Sequence, residues 1–286
     1  MKGGAQFPVR LRYEKRGKVR WISHRDVARA FERAFRVERL PLAFSQGFSP
    51  HPKVSFGLAL STGHESVAEY LDLELTTEVD LELLPAALST ALPEGLTVTA
   101  AAPLVDRAPA LQEAVTAVEW LVAVTPHDAE PDPEVLRALV TDALAREALP
   151  TARRRKGKET VEDVRPVIRA FDVLDDTTPL VPDSEVRGVH AHLELTTQPR
   201  SAKPDEVLAA IVTATAASGW SLAHVLRTHQ WIERDGARLE PLDADTRPRD
   251  VTDARATREG TDVRPRDHRD DDPDRAPSVA GGALRS

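Results

Sequence analysis

Four arginines and a histidine carry the first chemical signal in this sequence. Arg25, Arg29, Arg33 and Arg36 fall at i, i+4, i+8 and i+11 of a predicted helix over 23–39. That spacing lines the guanidiniums along one ridge, opposite an apolar stripe of Val27, Ala30, Phe31, Ala34 and Phe35. A guanidinium is planar and can engage two phosphate oxygens at once. Lys18, Arg20 and His24 lead into the same helix. The ridge reads as a groove for an RNA backbone or as a dock for an acidic partner. The plain alternative is a solvated helix face, partly neutralised by Glu32 and Glu38. A neutral His24 imidazole beside Arg20 and Lys18 could take a proton from a ribose hydroxyl. Spacing supplies no second acid or base, so no catalytic residue is assigned.

Two further basic stretches extend this pattern. In the loop 45–53, SQGFSPHPK, Gly47 permits a tight turn and Pro50 and Pro52 stiffen the path. Such a loop could present Phe48 as a stacking ring with His51 and Lys53 beside it, or tuck Phe48 into the core. Arg153, Arg154, Arg155, Lys156 and Lys158 place five cations in six positions on an expected flexible loop, a candidate electrostatic clamp. Arg165 and Arg169, four apart on a predicted strand, would share one face. His190 and His192 alternate on another strand, but no third ligand lies near them in sequence, and no metal site is assigned.

The charge balance sharpens the contrast. Residues 1–53 are net +9, residues 54–242 net −15 and residues 243–286 net −2, for −8 over 286 residues. A basic segment of that density attracts polyanions or an acidic partner. Cysteine is absent, so this chain alone builds no disulfide, zinc-thiolate site, iron–sulfur cluster or cysteine nucleophile. No apolar run approaches the ~20 residues of a membrane span, and 1–15 shows no secretory signal. The expected compartment is the cytoplasm, with no membrane partner. Phosphate-loop, dinucleotide, nucleophile-elbow and metalloprotease patterns are missing.

The elements that must position these residues follow from periodicity. Residues 7–14 alternate as a strand, Ser23 and Asp26 mark the helix start, 41–46 and 53–60 are extended, 67–75 is a strand, 80–92 a helix and 96–101 a strand. A second run repeats the order: strand 118–124, a helix opened by Asp132 and Pro133, strands 163–174 and 186–195, a helix from Pro204 to Ala217, and strand 225–233. Two β-α-β-β-α-β runs predict an α+β fold of two tandem ferredoxin-like units with antiparallel sheets. The expected boundaries are 1–104 and 115–238. The Arg-, Asp- and Pro-rich stretch 240–286 is expected to be disordered.

The strings Arg20-Trp-Ile-Ser-His-Arg-Asp26, Arg33-Ala34, Leu40-Pro-Leu-Ala43 and Ser45-Gln-Gly-Phe-Ser-Pro-His-Pro-Lys53 resemble the radical-SAM-linked protein family. Lys156-Gly-Lys158, Asp163-Val-Arg-Pro166, Lys203-Pro-Asp-Glu206 and Leu226-Arg-Thr228 fit the same pattern more loosely. The resemblance spans about 7–235. Members are bacterial domains fused to, or encoded beside, a cobalamin-binding-type radical SAM protein. The resemblance therefore implies a radical SAM partner that carries the iron–sulfur cluster, S-adenosylmethionine and cobalamin, with no cofactor in this chain. It transfers no catalytic residue. The combined expectation is a non-catalytic accessory protein that presents RNA, tRNA or rRNA, through its basic N-terminal face. The alternatives are a metal-independent endoribonuclease using His24 and a pure protein-interaction module.

Overall fold

The computed structural model describes residues 6–105, 108–155, 157–177, 187–198, 200–217 and 219–245, with the side chains of 153–155 and 158 outside the described part. The elements run β1 (Phe7–Lys15), α1 (His24–Val37), β2 (Val54–Phe56), β3 (Glu65–Leu75), α2 (Leu84–Ala91), β4 (Leu96–Pro103), α3 (Leu111–Ala114) and β5 (Ala117–Pro126). There follow α4 (Pro133–Leu144), β6 (Pro150–Arg155), β7 (Lys158–Asp163), β8 (Ile168–Val173), β9 (Val189–Thr196), α5 (Pro204–Ala214), β10 (Trp220–Arg234), β11 (Ala237–Leu239) and α6 (Pro241–Ala244).

Both β-α-β-β-α-β runs close in the ferredoxin-like strand order. Val9 of β1 and Val54 of β2 both lie opposite Leu73, so they flank β3 on its two edges. With β4 beside β1, the first order is β4-β1-β3-β2, and the second is β10-β5-β9-β8. Within each run the paired strands are antiparallel. The two runs join into one nine-stranded sheet. The first part of β3 is left uncovered by β2, and there β10 pairs parallel to it, with Leu226 opposite Glu65 and Arg227 opposite Ser66.

Helix caps and apolar spacing explain the packed face. The Ser23 hydroxyl oxygen accepts the Asp26 N–H at 3.2 Å and starts α1. Val27, Phe31, Ala34 and Phe35 of α1 are then buried against Val9, Leu11, Leu73 and Leu88. In the second run Asp132 accepts the Glu134 N–H at 2.8 Å to start α4, with Pro133 in the first turn. There α4 and α5 cover Val122, Val189, Ala191 and Leu193. Tyr13 and Phe31 meet edge-on with ring centroids 4.8 Å apart and fix the centre of the first core.

Three expectations change. The stretch 152–159 contributes to a β-hairpin, β6–β7, rather than a flexible loop: Arg155 pairs with Lys158, and Gly157 takes φ +79°. Arg165 does not continue a strand. It opens a 3₁₀ turn over Arg165–Val167, because Pro166 cannot donate to a ladder, and β8 begins only at Ile168. Beyond Glu240 the chain still packs on the sheet as α6, and Asp245 is buried. Residues 246–286, the rest of the stretch expected to be disordered, lie outside the described residues.

Candidate nucleic-acid interface

A buried lysine sets the approach to α1. Lys15 ends β1, and its Nζ donates to the carbonyls of Arg20 at 3.1 Å and Ile22 at 3.3 Å. Burial pushes its ammonium pKa down, against the pull of the Glu69 carboxylate. The 3₁₀ turn Gly17–Trp21 is thereby pinned to the sheet, with Lys18 exposed. Arg20 lies over the Trp21 ring at 5.2 Å and stands 3.7 Å from Glu65, while most of the Trp21 surface stays in solvent.

The arginine ridge forms as its spacing requires. Arg25, Arg29, Arg33 and Arg36 are all exposed on α1, opposite its buried stripe. Among the described residues Arg29 is the ridge arginine with a carboxylate partner, Asp26 at 3.1 Å. The Ser23 hydroxyl donates to Asp26 at 2.7 Å, and chiefly through that bond holds the Asp26 carboxyl below its usual range. A shallow groove lined by Arg29, Arg33, Leu92 and Pro93 runs between α1 and the end of α2. His24 is exposed at the first position of α1 with its ring edge-on to Phe56, centroids 5.2 Å apart.

The loop 45–53 splits between roles. His51 N–H donates to Ser45 Oγ at 3.0 Å, and its carbonyl accepts Ser45 N–H at 2.8 Å, which closes the loop. Phe48 at the tip is fully exposed, so it is not a core residue. Lys53 faces away from the ridge: its Nζ bonds Glu74 at 2.6 Å and Gln6 at 3.2 Å. Glu74 alternates along β3 with Leu73 and Leu75, which pack under α1, so Lys53 and Glu74 sit on the opposite sheet face. His51 and Lys53 line a separate open groove with Pro8, Asp72 and Val105.

The remaining predicted residues are not gathered with the ridge. Lys156 and the side chains of Arg153, Arg154, Arg155 and Lys158 lie outside the described part. Arg165 donates to the Leu144 carbonyl at 3.0 Å and holds the end of α4. Arg169 is taken up by Glu233, at Oε2 2.8 Å and also at Oε1, and by Glu194 at 3.3 Å. These two arginines therefore share neither a face nor a partner.

Sequence spacing missed a polar hub on the opposite sheet face. Glu119 accepts from Trp231 Nε1 at 2.8 Å and Arg238 at 2.6 Å, with His229 and His192 at 3.2 and 3.4 Å. His229 stacks on Trp231 at 5.1 Å, and the Arg238 guanidinium lies 4.6 Å from that ring. His192 is thus committed to a carboxylate, and among the described residues no cluster of His and carboxylates is arranged to hold a metal. The hub joins segments more than a hundred residues apart. Its one trace in the sequence is the cross-strand alternation of charged and aromatic side chains in β10.

The chain belongs to the DUF2344 family, uncharacterized proteins conserved in bacteria, whose model matches residues 9–204. No curated protein matches it significantly. Among solved structures, a Cbf5-Nop10-Gar1 complex is similar at 11% identity over 78% of this chain and 48% of that one, with TM-score 0.42. An archaeal box H/ACA sRNP Nop10-Cbf5 complex is similar at 11% identity over 78% and 47%, with TM-score 0.40. A Cas6 product complex is similar at 15% identity over 78% and 98%, with TM-score 0.20. The chain matches about half the length of the matched chain in each of these two complexes.

Proposed function

We propose that this bacterial family member is a non-catalytic accessory protein that binds RNA, tRNA or rRNA, along the α1 ridge and serves a radical SAM partner. The observation that carries the RNA reading is the ridge itself. Arg25, Arg33 and Arg36 stand exposed on one helix face, with Trp21 and Phe48 exposed on the segments before and after it. Guanidiniums for phosphates and exposed rings for bases are the two components of sequence-tolerant RNA binding. The radical SAM partner rests on the motif resemblance of residues 20–53. The iron–sulfur cluster, S-adenosylmethionine and cobalamin belong to that partner chain. Among the described residues His24 has an aromatic neighbour, Phe56, and no acid or base within hydrogen-bond reach. That environment favours binding over cleavage.

The test is tRNA and rRNA-fragment binding by the full chain at low salt, alone and with the partner. Arg29→Glu with Arg33→Glu should weaken RNA affinity about tenfold or more, since two phosphate contacts become repulsions. Absence of RNA binding by the unaltered protein, alone and with the partner, overturns the RNA reading. If the double variant keeps RNA affinity and loses the partner, the ridge is instead a protein dock.

A further inference from the structure

A small cavity of about 110 Å³ lies where the segment leading into β3 meets β5, β9 and the start of α5. Three of its lining side chains are almost wholly buried: His64, Trp120 and Arg227 are 6%, 5% and 4% exposed. Each has a buried nitrogen without a partner among the described residues, His64 Nδ1, Trp120 Nε1 and Arg227 Nε. His64 and Arg227 each have another nitrogen with a partner. His64 Nε2 stands 3.1 Å from Asp205. Arg227 Nη1 donates to Glu69 and to the Leu58 carbonyl, both at 2.8 Å. The three groups also touch one another. The Arg227 guanidinium lies 4.7 Å from the Trp120 ring centroid, and the His64 ring meets Trp120 edge-on at 6.0 Å.

Buried donors without acceptors are uncommon in folded proteins, and each normally finds protein or an ordered guest. Here an indole N–H and a guanidinium N–H, both obligate donors, belong to side chains that line one cavity, which favours a guest that accepts hydrogen bonds. Further features favour an anion. Lys203, at the N-cap of the 11-residue α5, lines the cavity and adds a cation to its wall, while Asp205 and Glu206 occupy the first turn of that helix. The nearby carboxylates, Asp205 and Glu69, are already matched to His64 and Arg227. The free Nδ1 of His64 can accept from a protonated phosphate oxygen or, as imidazolium, donate to an unprotonated one. At about 30 Å³ per water the space holds about three to four waters or one small oxyanion in their place, and it is too small for a nucleoside.

We propose that this cavity is a binding site for a phosphate group, either free or at the end of a phosphate ester, distinct from the arginine ridge. His64, Trp120 and Arg227 hold its oxygens, with Lys203 lining the same cavity. Lys203 and Arg227, far apart in sequence, both line it.

The test uses the full chain labelled at its indole nitrogens. The protein has four tryptophans, and Trp120→Phe assigns the Trp120 N–H signal while keeping the ring packing. Inorganic phosphate, a 5′-phosphorylated RNA dinucleotide and the same dinucleotide with a free 5′-hydroxyl are titrated separately. A saturable one-to-one shift of the Trp120 N–H with inorganic phosphate supports the proposal. A shift with the phosphorylated dinucleotide alone supports it and identifies the source as a terminal phosphate. In either case Trp120→Phe, and independently His64→Gln, should weaken calorimetric affinity about tenfold or more, as loss of a bond to a charged group does. A Trp120 signal unmoved by both phosphates at millimolar concentration overturns the proposal. So does an affinity that both variants leave intact.

Discussion

Arg10 and Asp72 stand directly opposite each other on β1 and β3 and meet through two hydrogen bonds, Nε to Oδ1 at 2.6 Å and Nη2 to Oδ2 at 2.8 Å. Arg10 has no solvent exposure. Its third arm, Nη1, donates to the Pro241 carbonyl at 2.9 Å and lies 3.5 Å from the buried Asp245. One guanidinium thus ties the segment after β11 to the middle of the first run. Arg10→Ala should lower unfolding free energy in urea by about 3–5 kcal/mol, because it leaves two carboxylates facing a desolvated hole. Arg10→Met combined with Asp72→Leu should recover part of that loss by removing charge from both sides.

Gly95 holds a tighter constraint. Its φ is +93°, and its carbonyl accepts the Arg16 N–H at 2.8 Å. A Cβ there would fall inside the contact distance of the Arg16 carbonyl oxygen and 2.8 Å from Val19 Cγ2. Gly95→Ala therefore suffers both backbone strain and a clash with backbone that Lys15 also holds in place. We expect a loss of about 2–3 kcal/mol in chemical denaturation, against near neutrality for alanine at the unobstructed position of an exposed loop.

Period and caps made much of the fold legible. The Ser23 cap, the Asp132-Pro133 start and the alternation of 7–14 all lie within one element, and local rules decide them. The fusion of the two runs was not legible, because the β3–β10 pairing joins Glu65 to Leu226 and no local pattern reports a partner 161 residues away. The ridge on α1 was readable from helix spacing alone. Lys53 was not, because its side of the sheet depends on the register of β2 against Glu74. Arg227 was the missed clue: an arginine inside an apolar central strand must find a buried partner, and Glu69 and Trp120 supply it.

Acid should loosen the opposite sheet face first. The Arg169 hydrogen bond, with its charge, holds the Glu233 carboxyl below its ordinary value of 4.5. For Glu119 burial pulls upward, but bonds to Trp231 and His192 and the charges of His229 and Arg238 bring the net value down. Both carboxyls therefore bind protons more readily in the unfolded chain. Their stabilisation is present above about pH 4.5 and is lost as pH falls through the lower folded values. Thermal unfolding from pH 7 to pH 3 should show Tm falling below that point. Glu233→Gln should start from a lower Tm at pH 7 and lose less on acidification. Because Glu233 is about one-third exposed, salt should shrink the difference between the two proteins.

RNA affinity should divide into a salt-sensitive and a salt-insensitive part. If Arg25, Arg29, Arg33 and Arg36 contact phosphates as proposed, log affinity should fall linearly with log salt, and each arginine replaced by alanine should reduce the slope by about 0.7–0.9. Phe48 carries no charge and touches no core, being fully exposed at the tip of the 45–53 loop. If it stacks on a base, Phe48→Ala should weaken single-stranded RNA binding by about 1–3 kcal/mol while leaving the salt slope and the Tm unchanged. Filter binding at four or more salt concentrations separates the two effects. A Phe48→Ala protein with unaltered affinity would remove the ring from the interface. A flat salt dependence in the unaltered protein would remove the ridge.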